Sequence, residues 1–323
     1  MTDVRTGRRR AGDRGMPQFT SYYGRPILKA PTWKALDIAG YLFTGGLAGA
    51  SSILAAGARL TGRPRMARAS TLGALGAIGV SVVALVHDLG RPDRFYNMLR
   101  VAKPTSPMNV GSWLLAGYGP LAGAAAASEV TGIAPRLGRA AGGGAAVLGA
   151  AVASYTSVLI ADTAVPAWHE ARRAMPLVFA GSAAASAAGL ALICAPRAEA
   201  GPACRAAIGG AALELAAGTV MERSGGVVAE TYHTGRAGAL LTAAKALTAA
   251  GALGALASTR NRLLGALSGA ALLAGSALTR FGIFEAGRAS TQDPKYTVLP
   301  QRERLAAAAA SAQRTDHPGP VPA

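Results

Sequence analysis

Residues 69–87 read ASTLGALGAIGVSVVALVH, a run that contains no Asp, Glu, Lys or Arg. A helix needs roughly 20 mainly apolar residues to cross the hydrocarbon core of a bilayer, and this run supplies about that number. Similar runs precede and follow it, separated by short segments that carry arginine. The sequence therefore predicts an all-α, polytopic membrane protein with about eight transmembrane helices, at 35–58, 69–87, 109–130, 142–162, 173–194, 203–223, 239–258 and 262–284.

The composition agrees with a helical bundle in lipid. Charged residues make up 15% of the chain, against about 25% in a typical soluble domain. The 42 glycines favour close approach of helices, which is how membrane helices pack. The net charge of +17 comes from basic residues between the apolar runs, and no nucleic-acid-binding motif accompanies it. We therefore attribute the charge to membrane topology and expect no nucleic-acid partner.

An even number of spans places both termini on one side of the membrane, together with loops 88–108, 163–172 and 224–238; we call this side the terminal face. Lys and Arg are about twice as numerous there as on the opposite face, which by the positive-inside rule predicts cytoplasmic termini in the plasma membrane. The chain then divides into a basic cytoplasmic arm (1–34), an eight-helix domain (35–285) and a cytoplasmic tail (286–323). The end of the tail has the composition of a disordered segment.

Acidic and histidine side chains also concentrate on the terminal face. Asp37 begins the first predicted helix, and His87 and Asp88 end the second. The opposite loops contain only Glu129 and Glu199. Polar residues are common at helix ends, but this asymmetry favours a polar cavity open to the terminal face. Further polar groups on that face are Asn109, Ser112, Trp113, Tyr155, Asp162, His169, Glu170, Glu222, Glu230 and His233.

Three ionisable residues fall inside predicted spans, where charge is costly and usually functional. Glu214 lies near the middle of the sixth span, Lys245 about two turns into the seventh, and Arg280 near the end of the eighth. We interpret Glu214 as a buried acid that carries a proton or stabilises the fold. Lys245 either shares a proton path or extends its ammonium group to the membrane surface.

The sequence predicts no intrinsic haem, iron–sulfur cluster or metal site. The two cysteines, Cys194 and Cys204, form no CxxC motif, and no predicted span contains an interior histidine that could ligate haem. The cysteines flank one short loop, where they either pair in an oxidising compartment or remain thiols.

Residues 87–113 read HDLGRPDRFYNMLRVAKPTSPMNVGSW. This stretch resembles the signature of the polysulfide reductase/NrfD family of membrane subunits, in which an acidic residue precedes LGRP, an Arg-Phe pair, and SPM followed by Trp. Weaker similarities occur at residues 154–159, 176–182 and 280–287, so the resemblance extends over about 33–290.

The resemblance implies a quinone-reactive anchor for a four-cluster [4Fe-4S] ferredoxin-like subunit, which in turn contacts a molybdopterin-type catalytic subunit. Menaquinone or another quinone is the implied cofactor, bound near the start of the first helix. Some relatives have a histidine and an asparagine there, where this sequence has Trp33 and Asp37. The candidate quinone-binding residues are Tyr155, Asp37, His87, Asp88, Asn109 and Trp113.

Two further groups of residues follow from this interpretation. Glu214, Asp162 and Lys245 are candidates for proton transfer. In the shared motif, Arg91, Pro92, Arg94, Ser106 and Pro107 either dock the partner or shape the loop. We expect Arg91 and Arg94 to pair with Asp88 and Asp93 at the membrane surface.

Three other functions are compatible with a membrane bundle. The protein could be a purely structural anchor, or a proton-translocating module without a quinone site. A secondary transporter would need broken helices at matched positions in two repeats, which the even spread of glycines does not support.

Overall fold

Long helices joined by short connections build the protein. The computed structural model describes residues 27–258 and 260–315, and all regular secondary structure in this part of the chain is helical. The predicted all-α fold is confirmed. The α-helices are α1 (Ala35–Leu60), α2 (Pro64–His87), α3 (Pro107–Thr131), α4 (Pro135–Ala161), α5 (Pro166–Glu170), α6 (Met175–Cys194), α7 (Gly201–Ser224), α8 (Gly235–Ala255), α9 (Arg262–Gln292) and α10 (Lys295–Thr315), with 3-10 helices at Pro92–Leu99, Ala171–Arg173, Arg197–Glu199 and Gly226–Tyr232.

Seven helices of the described chain are long and apolar enough to cross a membrane, namely α1, α2, α4, α6, α7, α8 and α9. The protein is therefore a multi-pass membrane protein. The prediction of about eight spans exceeds this number by one helix, α3, which has 25 residues but is not among the seven. Helix α3 still runs the length of the bundle, since Gly111 near its start packs on Tyr155 and Glu129 near its end pairs with Arg59 on the opposite face.

Proline fixes where several helices begin. Helices α2, α3 and α4 start at Pro64, Pro107 and Pro135, a few residues before the predicted starts at 69, 109 and 142. Proline suits the first helical position because its missing N–H would have no intrahelical partner there. Hydropathy locates only the apolar part of each helix and so misses these polar first turns. Helix α9 likewise continues past the predicted end at 284 to Gln292.

The long helices form two four-helix halves, α1–α4 and α6–α9, which meet along α1, α4, α6 and α9. Glycine permits the closest contacts. A Cβ added at Gly149 on α4 would lie 2.6 Å from the carbonyl oxygen of Gly49 on α1. Similarly, a Cβ at Gly189 on α6 would lie 2.6 Å from the carbonyl oxygen of Gly269 on α9. Both halves thus rely on backbone-to-backbone packing through small residues.

Short elements cover the terminal face. The fully buried Trp168 of α5 donates a hydrogen bond from Nε1 to the carbonyl oxygen of Ile283 at 2.8 Å and stacks on Trp33 with ring centroids 6.0 Å apart. The Tyr232 hydroxyl donates to the carbonyl of Ala167 at 2.7 Å. Burial raises the pKa of Tyr232 above its ordinary value, so the hydroxyl remains a donor.

Both described ends of the chain lie on this face, as predicted. The segment before α1 packs beside α5, and α10 contacts both α5 and the Gly226–Tyr232 helix. Arg304 on α10 forms an ion pair with Glu170 at 3.1 Å. Most of the predicted basic arm, residues 1–26, lies outside the described residues. The backbone of the tail is helical to Thr315, and the rest of its predicted disordered end also lies outside them.

Candidate functional site

A cavity of about 250 Å³ opens at the terminal end of the α1–α4 half. It lies between the start of α1, the end of α2, the start of α3 and the last turns of α4. Its wall is mostly apolar, with a few polar groups, which is typical of small-molecule sites. The lining residues are Thr32, Trp33, Ile38, Tyr41, Leu85, Asp88, Leu89, Gly90, Met98, Met108, Ser112, Tyr155, Leu159 and Ile160.

Tyr155 provides the main polar group in the cavity wall. It lies six residues before the end of α4, so at 1.5 Å per residue it is roughly 9 Å inside the helix. A Cβ added at Gly111 on α3 would lie 2.9 Å from the Tyr155 hydroxyl oxygen, so only glycine leaves room for the ring in this position. Within the described chain the Tyr155 hydroxyl forms no hydrogen bond, which leaves it available to a ligand.

A polar cluster of Lys34, Asp37, His87 and Asp88 lies at the mouth of the cavity. Asp37 is buried, and its Oδ2 lies 2.8 Å from His87 Nδ1 and 3.8 Å from Lys34 Nζ. Asp88 lines the cavity and accepts the backbone N–H of Lys34 at 3.1 Å. His87 is exposed, with 65% of its side chain accessible. The cluster thus connects the cavity wall to the aqueous face through groups that can carry a proton.

Asn109 and Trp113 bind the loop before α3. The Asn109 amide accepts the N–H of Lys103 at 2.6 Å and donates to the carbonyls of Met98 and Val101 at 2.9 and 2.7 Å. Trp113 Nε1 donates to the Val101 carbonyl at 3.2 Å. These contacts hold the segment that places Met98 against the cavity. A direct quinone contact of Asn109 or Trp113 stays a prediction.

The LGRP and SPM segments shape the connection between α2 and α3. Pro92 begins the 3-10 helix Pro92–Leu99 and Pro107 begins α3, while the Ser106 carbonyl accepts the N–H of Val110 at 3.0 Å. The side chains of Arg91 and Arg94 are exposed.

The expected ionic cluster of Arg91 and Arg94 with Asp88 and Asp93 is wrong. Neither arginine has an ion-pair partner in the described chain, and Asp88 bonds the N–H of Lys34 instead. Solvated arginines gain little from surface pairing, so a backbone N–H competes successfully for the carboxylate.

The three candidate proton-transfer residues do not form one group. Glu214 is buried in α7, with 5% of its surface exposed, and a separate cavity of about 30 Å³ connects it to Lys245 on α8. Lys245 pairs there with Glu222 at 2.6 Å. Asp162 lies exposed at the end of α4, in the other half of the protein. A role of Asp162 in proton transfer stays a prediction.

Several residues of the site were not predicted. Gly111 positions Tyr155, and Met98 and Met108 line the cavity. Local sequence contains no signal for them, because each acts through a contact across helices. Glu222 was noted only as a polar helix end, and its ion pair with Lys245 depends on how α7 and α8 pack.

Within the described residues, no group of three or more His, Cys, Asp or Glu is placed to hold a metal ion. Cys194 and Cys204 are thiols, so of the two alternatives the disulfide is wrong. Cys204 Sγ lies 2.9 Å from the Ser258 hydroxyl.

Comparison with known proteins agrees with this geometry. The chain matches the family of polysulphide reductase, NrfD, over residues 29–203, which is more than half of its length. No curated protein matches the chain. The matched region runs from the segment before α1 into the start of α7, so it includes the whole Tyr155 cavity and the LGRP…SPM loop. The chain belongs to the polysulphide reductase NrfD family and is a multi-pass membrane subunit of a redox complex.

Proposed function

We propose that this subunit binds menaquinone or menaquinol in the Tyr155 cavity and exchanges electrons with a [4Fe-4S] ferredoxin-like partner on the terminal face. The observation that carries the proposal is the hydroxyl of Tyr155, which forms no hydrogen bond with the described residues, in the wall of a mostly apolar cavity. Tyr155 is half-buried, and ligand sites are typically apolar cavities with a few polar groups that fix the orientation of the ligand. A quinone carbonyl is an acceptor that such a hydroxyl can satisfy.

The size of the cavity fits a quinone head group. A protein cavity of about 150 Å³ accommodates benzene, so a volume of about 250 Å³ leaves room for a ring system of one or two rings. An isoprenoid tail would then extend out of the cavity towards lipid. Leu85, Leu159 and Met98 supply apolar contacts for the ring faces.

Groups around the cavity can supply the protons that quinone reduction consumes. Reduction takes up two electrons and two protons, and donors must lie within hydrogen-bond reach of the head group. Tyr155 donates to one carbonyl, and Asp88 lies in the same wall. The Asp37–His87 pair next to Asp88 exchanges protons with water, since His87 is exposed.

Electrons must come from or go to a partner subunit. A [4Fe-4S] cluster usually takes four cysteine ligands, and this sequence has two cysteines. The exposed loop beside the cavity suits a docking surface. Phe95 and Tyr96 are 48% and 57% exposed there, next to the exposed Arg91 and Arg94, and aromatic and arginine side chains are enriched at protein interfaces. A molybdopterin-type subunit would contact the ferredoxin-like partner and set the substrate of the complex.

Quinone binding to the purified protein tests the proposal. Trp33 lines the cavity, so quenching of tryptophan fluorescence reports a quinone bound there. Tyr155→Phe removes one hydrogen bond worth about 1 kcal/mol, which corresponds to roughly a fivefold increase in Kd for a menaquinone analogue. Tyr96→Phe, which changes an exposed tyrosine outside the cavity, serves as the control and should bind like the wild type.

If Tyr155→Phe and the wild type bound the menaquinone analogue with equal affinity, Tyr155 would not be a quinone ligand. Absence of saturable quenching in the wild type would favour the alternative function, a structural anchor or proton-translocating module without a quinone site.

A further inference from the structure

We propose that the α6–α9 half contains a proton path that leads from the terminal face to Glu214 and ends there. The path uses Glu222 as its entry group and the cavity of about 30 Å³ as its connection. It lies in the half of the protein that does not hold the Tyr155 cavity, and it is independent of quinone binding.

Glu214 is the end point because it is buried, polar and incompletely bonded. It lies near the middle of α7, and its Oε2 has no hydrogen-bond partner in the described chain. Arg280 on α9 forms no ion pair with Glu214 within the described residues, but it is the positive charge that acts on the Glu214 carboxyl. Arg280 donates from Nη2 to the Phe179 carbonyl at 2.9 Å, while its Nε and Nη1 are buried without a partner there. A buried arginine beside a buried carboxyl allows the carboxyl to gain or lose a proton without leaving an isolated negative charge.

The hydrogen bonds of Thr279 fit a carboxyl that carries a proton. The Thr279 hydroxyl oxygen lies 2.6 Å from Glu214 Oε1 and 3.0 Å from the Gly275 carbonyl oxygen. A hydroxyl has a single proton to donate, and a protonated carboxyl is itself a donor. Both contacts are satisfied together when Thr279 donates to Gly275 and Glu214 donates to Thr279. The site therefore accommodates the neutral acid as well as the carboxylate.

A small cavity connects Glu214 to charged groups nearer the surface. Its volume of about 30 Å³ is enough for a water molecule. At its other end Glu222 pairs with Lys245 at 2.6 Å, and Glu222 Oε2 lies 3.7 Å from Nε2 of the exposed His233. Glu222 lies eight residues after Glu214 on α7, so the path covers roughly 12 Å along the helix.

The access is one-sided. On α7 and α9, the other lining residues, Leu215, Gly218, Met221, Glu222 and Ile283, lie on the terminal side of Glu214 and Thr279. The titratable groups that act on Glu214 or Glu222 include Arg280 from α9, Lys245 from α8, and Tyr232 and His233 from the 226–233 segment. Helix α6 contributes the apolar Val178.

The proton balance of the path is simple. Glu222 takes a proton from water or from protonated His233 at the terminal face. The proton then passes through water in the cavity to the Glu214 carboxylate, which becomes a carboxylic acid. Glu222 returns to its carboxylate form, and Lys245 keeps it in position through their ion pair. The reverse sequence returns the proton to the same face.

Infrared spectroscopy of the full-length protein in liposomes of known orientation tests this path. The carbonyl band of protonated Glu214 is identified by its disappearance in Glu214→Gln. When the pH is changed in one compartment only, we expect this band to follow the pH on the terminal face and to ignore the pH on the opposite face.

Two variants block the path at different points. Glu222→Gln removes the entry group and should abolish the response of the band to the pH on the terminal face. Glu230 is another acid on this face and pairs with Lys295 at 2.9 Å, so Glu230→Gln is the control and should retain the response. Gly218→Leu should fill the cavity and also abolish the response. A Cβ at Gly218 meets nothing within 4 Å, and the same holds for Gly209 on α7, so Gly209→Leu is the matched control.

The proposal would be overturned if the Glu214 band of the wild type followed the pH on the opposite face, or if it did not respond to the pH on either face. A full response in both Glu222→Gln and Gly218→Leu would overturn it as well. The two variants alter different groups, so misfolding of one, seen by gel filtration, leaves the other to decide.

Discussion

Gly111 determines where the Tyr155 side chain lies, and it does so without touching a ligand. A Cβ at this position would come within 2.8 Å of the Tyr155 ring carbon Cζ, so the ring must move when any other residue replaces glycine. Forcing an extra group into a packed site costs about 1–3 kcal/mol. The orientation of the proposed quinone ligand therefore depends on a residue with no functional group.

We expect Gly111→Ala to weaken quinone binding although the Tyr155 hydroxyl is retained. Displacement of the ring should raise the Kd for a menaquinone analogue by about fivefold or more. Gly119→Ala on the same helix is the control, because a Cβ there meets nothing within 4 Å. Unchanged quinone affinity in Gly111→Ala, measured by fluorescence quenching, would show that the ring position does not matter.

At the residue scale, sequence reasoning found the polar groups but not their partners. Tyr155 and Asp88 were predicted because they lie at the right end of their helices, and both line the cavity. Asn109 was predicted for the same reason, because it lies at the terminal end of its helix. Its amide instead forms hydrogen bonds with the backbone of the 98–103 loop. Spacing along one helix does not specify which group on another helix a side chain meets, so Gly111 and Met98 could not be predicted.

At the scale of helices, α1 and α4 approach each other through Gly49 and Gly149. A Cβ at Gly49 would contact the backbone of α4, which cannot move away as a flexible side chain can. Gly57 lies on the same helix, and a Cβ there meets nothing within 4 Å. The two glycines therefore differ in packing while sharing one helix.

Gly49→Ala should destabilise the protein by about 1–3 kcal/mol through overpacking. Gly57→Ala should be neutral or stabilising by about 0.5–1 kcal/mol, because alanine loses less conformational entropy than glycine in a helix. Thermal unfolding in detergent measures both effects. An equal melting temperature for the two variants would contradict the close α1–α4 contact.

The positions of the helices followed from hydropathy, whereas their ends did not. Runs of about 20 apolar residues predicted each long helix of the two halves, since lipid contact requires such runs, whereas α10 in the polar tail was not predicted. The first turns of α2 and α4 contain Arg65 and Arg136 and were therefore missed. Helix α3 was predicted as a span and runs the length of the α1–α4 half, although it is not among the seven helices that are long and apolar enough to cross a membrane.

At the scale of the whole molecule, each half of the protein contains its own polar site, and both sites are reached from the terminal face. The α1–α4 half contains the Tyr155 cavity, and the α6–α9 half contains the Glu214 site. Composition and apolar runs predicted a membrane bundle, and the LGRP…SPM block predicted the family. The division into halves could not be predicted, because it depends on contacts among α1, α4, α6 and α9 that hydropathy does not encode.

The distribution of Lys and Arg predicts the orientation of the protein in the membrane. We expect the terminal face, with the proposed partner, in the cytoplasm, because basic residues are enriched on that side. Alkaline phosphatase fused after Ala323 should be inactive there, whereas the same enzyme inserted after Ile133, in the exposed connection between α3 and α4, should be active. The reverse pattern would place the partner on the outer face.

The claim that a quinone occupies the Tyr155 cavity is tested most directly by photolabelling. A photoreactive naphthoquinone would be cross-linked to the purified protein, and the modified peptides identified by mass spectrometry. The account predicts labels on the cavity walls, at residues 32–41, 85–112 and 155–160, which excess menaquinone prevents and Gly111→Ala reduces. Labels confined to other surfaces, or labels that excess menaquinone does not prevent, would contradict it.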